Sequence, residues 1–182
     1  MPISFGNAGI NAVFHGSTSI SRVYHGDTLV FGSTGEQPEV VPTYSSWRIS
    51  SLGTRGSYCS IAEVELRTVP DGPDRLDGRT LIAYQSSEYG VNNSVYQAFD
   101  NNPSTLWSSR AGDTMGWISV GIDVVIPVRE VMIQATVNYP EEAPIGIIIE
   151  GSYGGNTGWI VIKEFRDLPP WSSGEKRTFS LV

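Results

Sequence analysis

Between Tyr58 and Arg67 the chain alternates cleanly: Ala62, Val64 and Leu66 fall on one side, Glu63, Glu65 and Arg67 on the other. That period of two is what a half-buried β-strand requires. The alternation returns at Val131, Ile133, Ala135 and Val137, and again at Phe179 and Leu181. Further strands are expected at 117–125, 129–137, 145–151, 159–165 and 176–182. Pro127, Pro140, Pro144, Pro169 and Pro170 fall between these runs, where a missing N–H does least damage to a sheet. No stretch sustains a 3.6-residue apolar period. The pattern therefore predicts an all-β chain, an antiparallel β-sandwich of jelly-roll type, with residues 70–94 as a long polar connection.

The first thirty residues follow a different rule. Ile10 to Thr18 returns, ten residues later, as Ile20 to Thr28, each copy carrying Val, an aromatic, His and Gly at matched places. Each copy reads as a short strand meeting a Gly turn. Hairpins of this size are marginal in water alone. Residues 1–35 are thus expected to be an arm that packs against another chain, the following domain or a larger assembly, and so to favour a homo-oligomer. His15 and His25 could suggest a metal pair or an acid–base pair; a turn residue duplicated with its repeat is the simpler reading. Residues 36–45, rich in Pro and Glu, read as an extended linker. The main domain then spans 46–182.

Composition narrows the partners. The chain has 182 residues, a net charge of −7 and only 12 Lys and Arg. Affinity for a phosphate backbone comes from those two residues, so nucleic acid is not expected as a partner; a neutral ligand or a cation suits the surface better. No run approaches the roughly 20 apolar residues of a helical membrane span. The start of the chain shows neither the basic nor the long apolar region of a signal peptide, so synthesis in a cytoplasm is expected. A single cysteine, Cys59, excludes an internal disulfide and reads as a small buried hydrophobe.

The stretch from Val95 to Trp107 carries the most chemistry. An apolar run stops at Asp100, turns through Asn101-Asn102-Pro103-Ser104 and resumes at Leu106-Trp107. Asn and Asp bond their own backbone in such turns, and Pro fixes a dihedral. The Asp100 carboxylate, the Thr105 hydroxyl and freed carbonyls are brought into a small space, and Ca²⁺ takes six to eight oxygens of this kind. Turns of this composition also occur without metal, so the residues alone leave the ion open.

Ala98-Phe99-Asp100 through Trp107 resembles the hallmark of the discoidin family, also called coagulation-factor C-type or galactose-binding-like domains. Gly116 to Gly121, Pro127 to Val131 and the Ile149–Trp159 hairpin are similar to three further motifs of that family, in order. The likeness covers roughly 46–182. It implies a structural Ca²⁺ held by Asp100, Glu63, Thr105, Gln97, Asn102 and Ala62. Asn101 stands where Gly is usual in the family; Asn tolerates the left-handed conformation the turn needs. The strand containing Glu63 closes the domain in ordinary members but here precedes the turn, which implies a circularly permuted, phage-type variant. The N-terminal repeat in turn resembles segments of phage tail and other virion proteins.

Together these resemblances imply a virion protein, made in a bacterial cytoplasm and joined to other virion proteins through residues 1–35. Its sandwich would bind a glycan on the bacterial surface. Candidate ligand residues are the loop side chains Trp171, Tyr139, Tyr89, Asn92 and Arg110, with Asn93, Glu141 and Glu142 offered by the same loops; Trp171 could equally be a packed loop residue. Trp47, Trp107, Trp117 and Trp159 match framework positions and are expected in the core. No nucleophile elbow or Cys–His pair is visible, and Glu141-Glu142 or Asp113 make a poor glycosidase pair, so no enzyme is expected. The alternative is a structural protein whose sandwich only decorates or joins.

Overall fold

The computed structural model describes residues 40–182 in full and, before them, only the backbones of four short strands. Two compact units divide at Val40 and Val41. In the first, β1 (Val13–His15) pairs with β2 (Thr18–Ile20) and β3 (Val23–His25) with β4 (Thr28–Phe31), both antiparallel. The Val-aromatic-His of each repeat is thus the first strand of one pair. The side chains of His15 and His25, the assembly role expected of residues 1–35 and the linker as far as residue 39 lie outside the described residues.

The second unit is an all-β antiparallel sandwich. One layer has five strands in the order β13–β12–β5–β10–β8: Ile160–Phe165, Ile147–Ser152, Thr43–Ser51, Trp117–Pro127 and Ile82–Gln85. The other has three, β14–β11–β7: Lys176–Ser180, Glu130–Gln134 and Glu63–Arg67. A short pair, β6 (Ser60–Ile61) with β9 (Trp107–Ser108), closes one end. Both layers send apolar side chains into one core: Trp47, Ile49, Ile118 and Ile149 from the first, Val64, Leu66, Val131 and Phe179 from the second. Among the described residues, no helix is long and apolar enough to cross a membrane.

Several elements differ from their sequence reading, each for a tertiary reason. Strand β5 begins at Thr43, inside the expected linker, because Thr43 and Tyr44 pair with Pro127 and Ile126 across a bulge in β10. The polar connection 70–94 contains β8, an edge strand whose Ile82 and Tyr84 stay exposed. β11 is central in its sheet and buried on both faces, Met132 and Gln134 as well as Val131 and Ile133, so alternation fails there. Val137 lies beyond that strand and is exposed. Trp47 and Trp107 are fully buried, but Trp117 and Trp159 are only half-buried, on the outer face of the larger sheet.

Candidate functional site

The turn after Phe99 is built as its residues require. Asn101 takes the left-handed conformation at φ 56°, Asn102 N–H donates to Asp100 Oδ1 at 2.9 Å, and Ser104 N–H donates to Asn102 Oδ1 at 3.2 Å. These are side-chain-to-backbone turns of the Asx type. They aim an excess of acceptors at one hydroxyl. Thr105 Oγ1 lies 3.0 and 2.9 Å from the two Asp100 carboxylate oxygens, 2.7 Å from the Asn102 carbonyl and 3.5 Å from the Gln97 carbonyl. A hydroxyl carries one proton, so it can satisfy only one of these four.

Strand β7 brings the second carboxyl. Glu63 points out of the core, but the turn covers it and leaves it only 3% exposed. Burial pushes its pKa from 4.5 up to about 8, helped by the neighbouring Asp100 carboxylate. The nearby backbone N–H groups of Asn101 and Asn102 oppose that rise, yet neither comes into hydrogen-bond geometry, and among the described residues neither Glu63 oxygen has a well-formed partner. Among the described residues, Oε1 of Gln134, the residue paired with Glu63 across β11, is also buried without a donor, as is Gln97 Oε1. Ala62 is buried beside Glu63, its N–H bound to the Gln134 carbonyl at 2.9 Å.

This corner is rich in oxygen acceptors and poor in donors. A buried acceptor without a partner costs free energy, and a hard cation removes that cost for several at once. Among the described residues no three His, Cys, Asp or Glu side chains cluster as a metal set, so a cation here would rely on two carboxylates completed by carbonyl and hydroxyl oxygens. That donor set fits Ca²⁺ and not zinc. The expected residues that the structure brings together are Asp100, Thr105, Gln97 and Asn102 around the turn, with Glu63 of β7 against Asp100.

The loops at this end also form a cavity of about 270 Å³, lined by Tyr58, Tyr89, Asn93, Leu106, Tyr139 and Glu142. Leu106 belongs to the same turn as Thr105, so the acceptor corner supports one wall of the cavity. Tyr89 and Tyr139 are 64% and 52% exposed, and Tyr58 meets Tyr89 edge-on at 5.4 Å. Glu142 is fixed from two sides. Its turn is held where the N–H groups of Arg55 and Gly56 both donate to the Glu141 carbonyl, at 3.0 and 2.9 Å. Its Oε2 accepts from Ser60 Oγ at 2.6 Å. Partial burial raises its pKa, the Ser60 hydrogen bond acting against the rise.

Of the expected ligand residues, Tyr89 and Tyr139 share this cavity. Asn92 is exposed beside it in sequence, while its neighbour Asn93 lines it. Arg110 is exposed and is not part of the lining. Trp171 does not serve as an exposed platform: it is 6% exposed, its indole N–H donates to the Pro144 carbonyl at 2.8 Å, and Arg177 stacks 4.0 Å from its ring centre. The same Arg177 donates to the carbonyls of the preceding Pro169 and Pro170, at 2.9 and 2.8 Å. Tyr58 carried no separate signal in the sequence; Asn93 stood out beside Asn92 as a loop amide, and Glu142 beside Tyr139 as half of an acidic pair.

Family models, curated proteins and solved structures were compared with the chain, and none matches it.

Proposed function

We propose that residues 41–182 form a non-enzymatic glycan-binding module, with a structural Ca²⁺ bracing the loop end at which the sugar docks. The observation that carries this reading is the tyrosine cavity. Sugars present apolar C–H faces and rings of hydroxyls, and this cavity offers exposed aromatic faces beside an amide and a carboxylate. Glu142 Oε2 is taken by Ser60, which leaves Oε1 to accept from a sugar hydroxyl. Among the described residues its lining holds no Lys or Arg, so it suits a neutral sugar better than a sialic or uronic acid.

The donor set of the acceptor corner supports the ion: the Asp100 and Glu63 carboxylates, Thr105 Oγ1 and the carbonyls of Gln97 and Asn102, with Ala62 beside them. Bound there, Ca²⁺ would supply charge to neutralise the two acids and fix the turn that carries Leu106. The motif resemblances support a discoidin-like jelly roll displayed on a phage virion, through an arm that assembles many copies. Multiple copies turn millimolar single-site affinity into adhesion to a bacterial surface.

The test is a glycan array probed with the full chain, followed by calorimetry on the strongest neutral sugar. Tyr139→Ala and Tyr89→Ala should each weaken binding about tenfold, which corresponds to about 1.4 kcal/mol. Binding that both variants retain in full, or a chain that binds no glycan and no bacterial cell, contradicts the proposal.

A further inference from the structure

The outer face of the five-stranded sheet holds a second cavity, of about 190 Å³, that shares no residue with the tyrosine cavity. Its floor follows from the register. Ser119 pairs with Tyr84 on one side and Arg48 on the other; Gly121 pairs with Ile82 and Ser46. These side chains point away from the core, yet Ser46 and Ser119 are almost fully buried. The β12–β13 loop folds over them: Ser119 Oγ donates to Asn156 Oδ1 at 3.4 Å, and Ser152 Oγ donates to the Thr157 carbonyl. Trp159, at the end of that loop, forms one wall; Tyr84 and Ile82 of the edge strand are also in the lining.

The chemistry of this cavity is specific. Its nearest ion pair is closed on itself, since Arg48 meets both Glu150 oxygens at 2.6 Å and stacks 4.7 Å from the Trp159 ring centre. Neither charge is left for an ionic ligand. Meanwhile Trp159 Nε1–H is buried and has no acceptor among the described residues. Indole N–H groups usually find an acceptor when buried. Serine side chains on the floor, with aromatic and aliphatic walls, suit a small neutral ring bearing hydroxyls. The volume lies well below the roughly 300 Å³ at which pockets for drug-sized ligands begin, so one ring is the limit.

We infer that this outer-face cavity is a second subsite, taking a single neutral sugar ring between Trp159 and Tyr84. The inference rests on the glycan reading for its ligand class but uses none of the residues of the tyrosine cavity. Two subsites per chain would let one polysaccharide strand be gripped at separated points, which raises avidity without new contacts at either.

The indole N–H resonances of the full chain provide the test, the Trp159 peak being assigned by its loss in Trp159→Phe. Methyl glycosides of glucose, galactose, mannose and N-acetylglucosamine are added singly to about 10 mM, enough to fill a millimolar site. One of them should shift the Trp159 peak saturably in the wild type and equally in Tyr139→Ala. The shift should vanish in Gly121→Val, because a Cβ at Gly121 would already sit 3.2 Å from Ser46 Oγ and the valine would fill the floor. Should that variant fold poorly, Tyr84→Ala, an exposed change, should weaken the shift at least threefold. No shift with any glycoside overturns the inference, and so does a shift that Tyr139→Ala abolishes, since it would then report the other cavity. A Trp159 shift in a chain whose tyrosine variants lose nothing would uphold this subsite and refute the tyrosine one.

Discussion

Glu63→Gln is the perturbation that isolates the acceptor corner. Without a cation, the folded chain holds Glu63 protonated up to a pKa of about 8, while the unfolded chain releases that proton near 4.5. The folded state therefore binds one more proton across this window. Its stability is fully present below the unfolded pKa and is lost as pH rises towards the folded one. One proton changes stability by about 1.4 kcal/mol per pH unit, so wild type should lose up to roughly 3 kcal/mol between about pH 5 and about pH 7. Asp100 is exposed, so water screens its repulsion of Glu63 and the figure is an upper bound. Asp74 and Glu142 are raised as well and add slopes of the same sign. The difference between wild type and Glu63→Gln removes them.

The assay is chemical denaturation in EDTA at several pH values, repeated with Ca²⁺. In EDTA, Glu63→Gln should lack the Glu63 share of the slope and be the more stable protein near neutral pH. Added at about 100 times its dissociation constant, Ca²⁺ should stabilise wild type by about 2.7 kcal/mol. The gain should grow as pH rises, because ion and proton compete for the same carboxylate. In Glu63→Gln the gain should be small. Identical pH slopes in EDTA, or equal stabilisation of both proteins by Ca²⁺, would refute the reasoning.

Three further outcomes follow from the same geometry. Thr105→Val removes the one hydroxyl shared among four acceptors and should weaken Ca²⁺ binding about tenfold by calorimetry, about 1.4 kcal/mol. Trp171→Ala should destabilise the chain by about 3–5 kcal/mol, as a buried aromatic does, while a chain that still folds keeps its glycan affinity. Burial pushes the Cys59 thiol up to about 12, so alkylation by iodoacetamide at neutral pH should track unfolding and increase when denaturant is added.

The parts of the fold legible in sequence were those where one face meets the core and the other meets water. β7 shows this, with Val64 and Leu66 inward and Glu65 and Arg67 at the surface. In β11 the strand was legible but not its second buried face, and β8 went unread because its core-packed Ala83 lies between exposed Ile82 and Tyr84. The turn at Asp100 was readable because Asx chemistry is local; Asn101 at φ 56° needs only its own side chain and neighbours. What covers Glu63 was not readable from the alternation, since it depends on a turn more than thirty residues away. The tyrosine cavity was half visible. Tyr89 and Tyr139 stood out as loop aromatics and Glu142 as an acidic neighbour of Tyr139, but the contacts of Gly56 and Ser60 that hold the Glu141-Glu142 turn at the cavity join residues more than eighty positions apart. Trp171 stayed open in the sequence for the converse reason: its flanking Pro and Ser residues describe a loop, and only tertiary contacts show that the loop is packed.

The most direct measurement is a crystal structure of the full chain grown with Ca²⁺. The account predicts one spherical density peak between the Glu63 and Asp100 carboxylates, joined by Thr105 and the Gln97 and Asn102 carbonyls, with six to eight oxygens at about 2.3–2.6 Å. A chain that leaves this corner without an ion at saturating Ca²⁺, its two carboxyl groups sharing a proton instead, would contradict it.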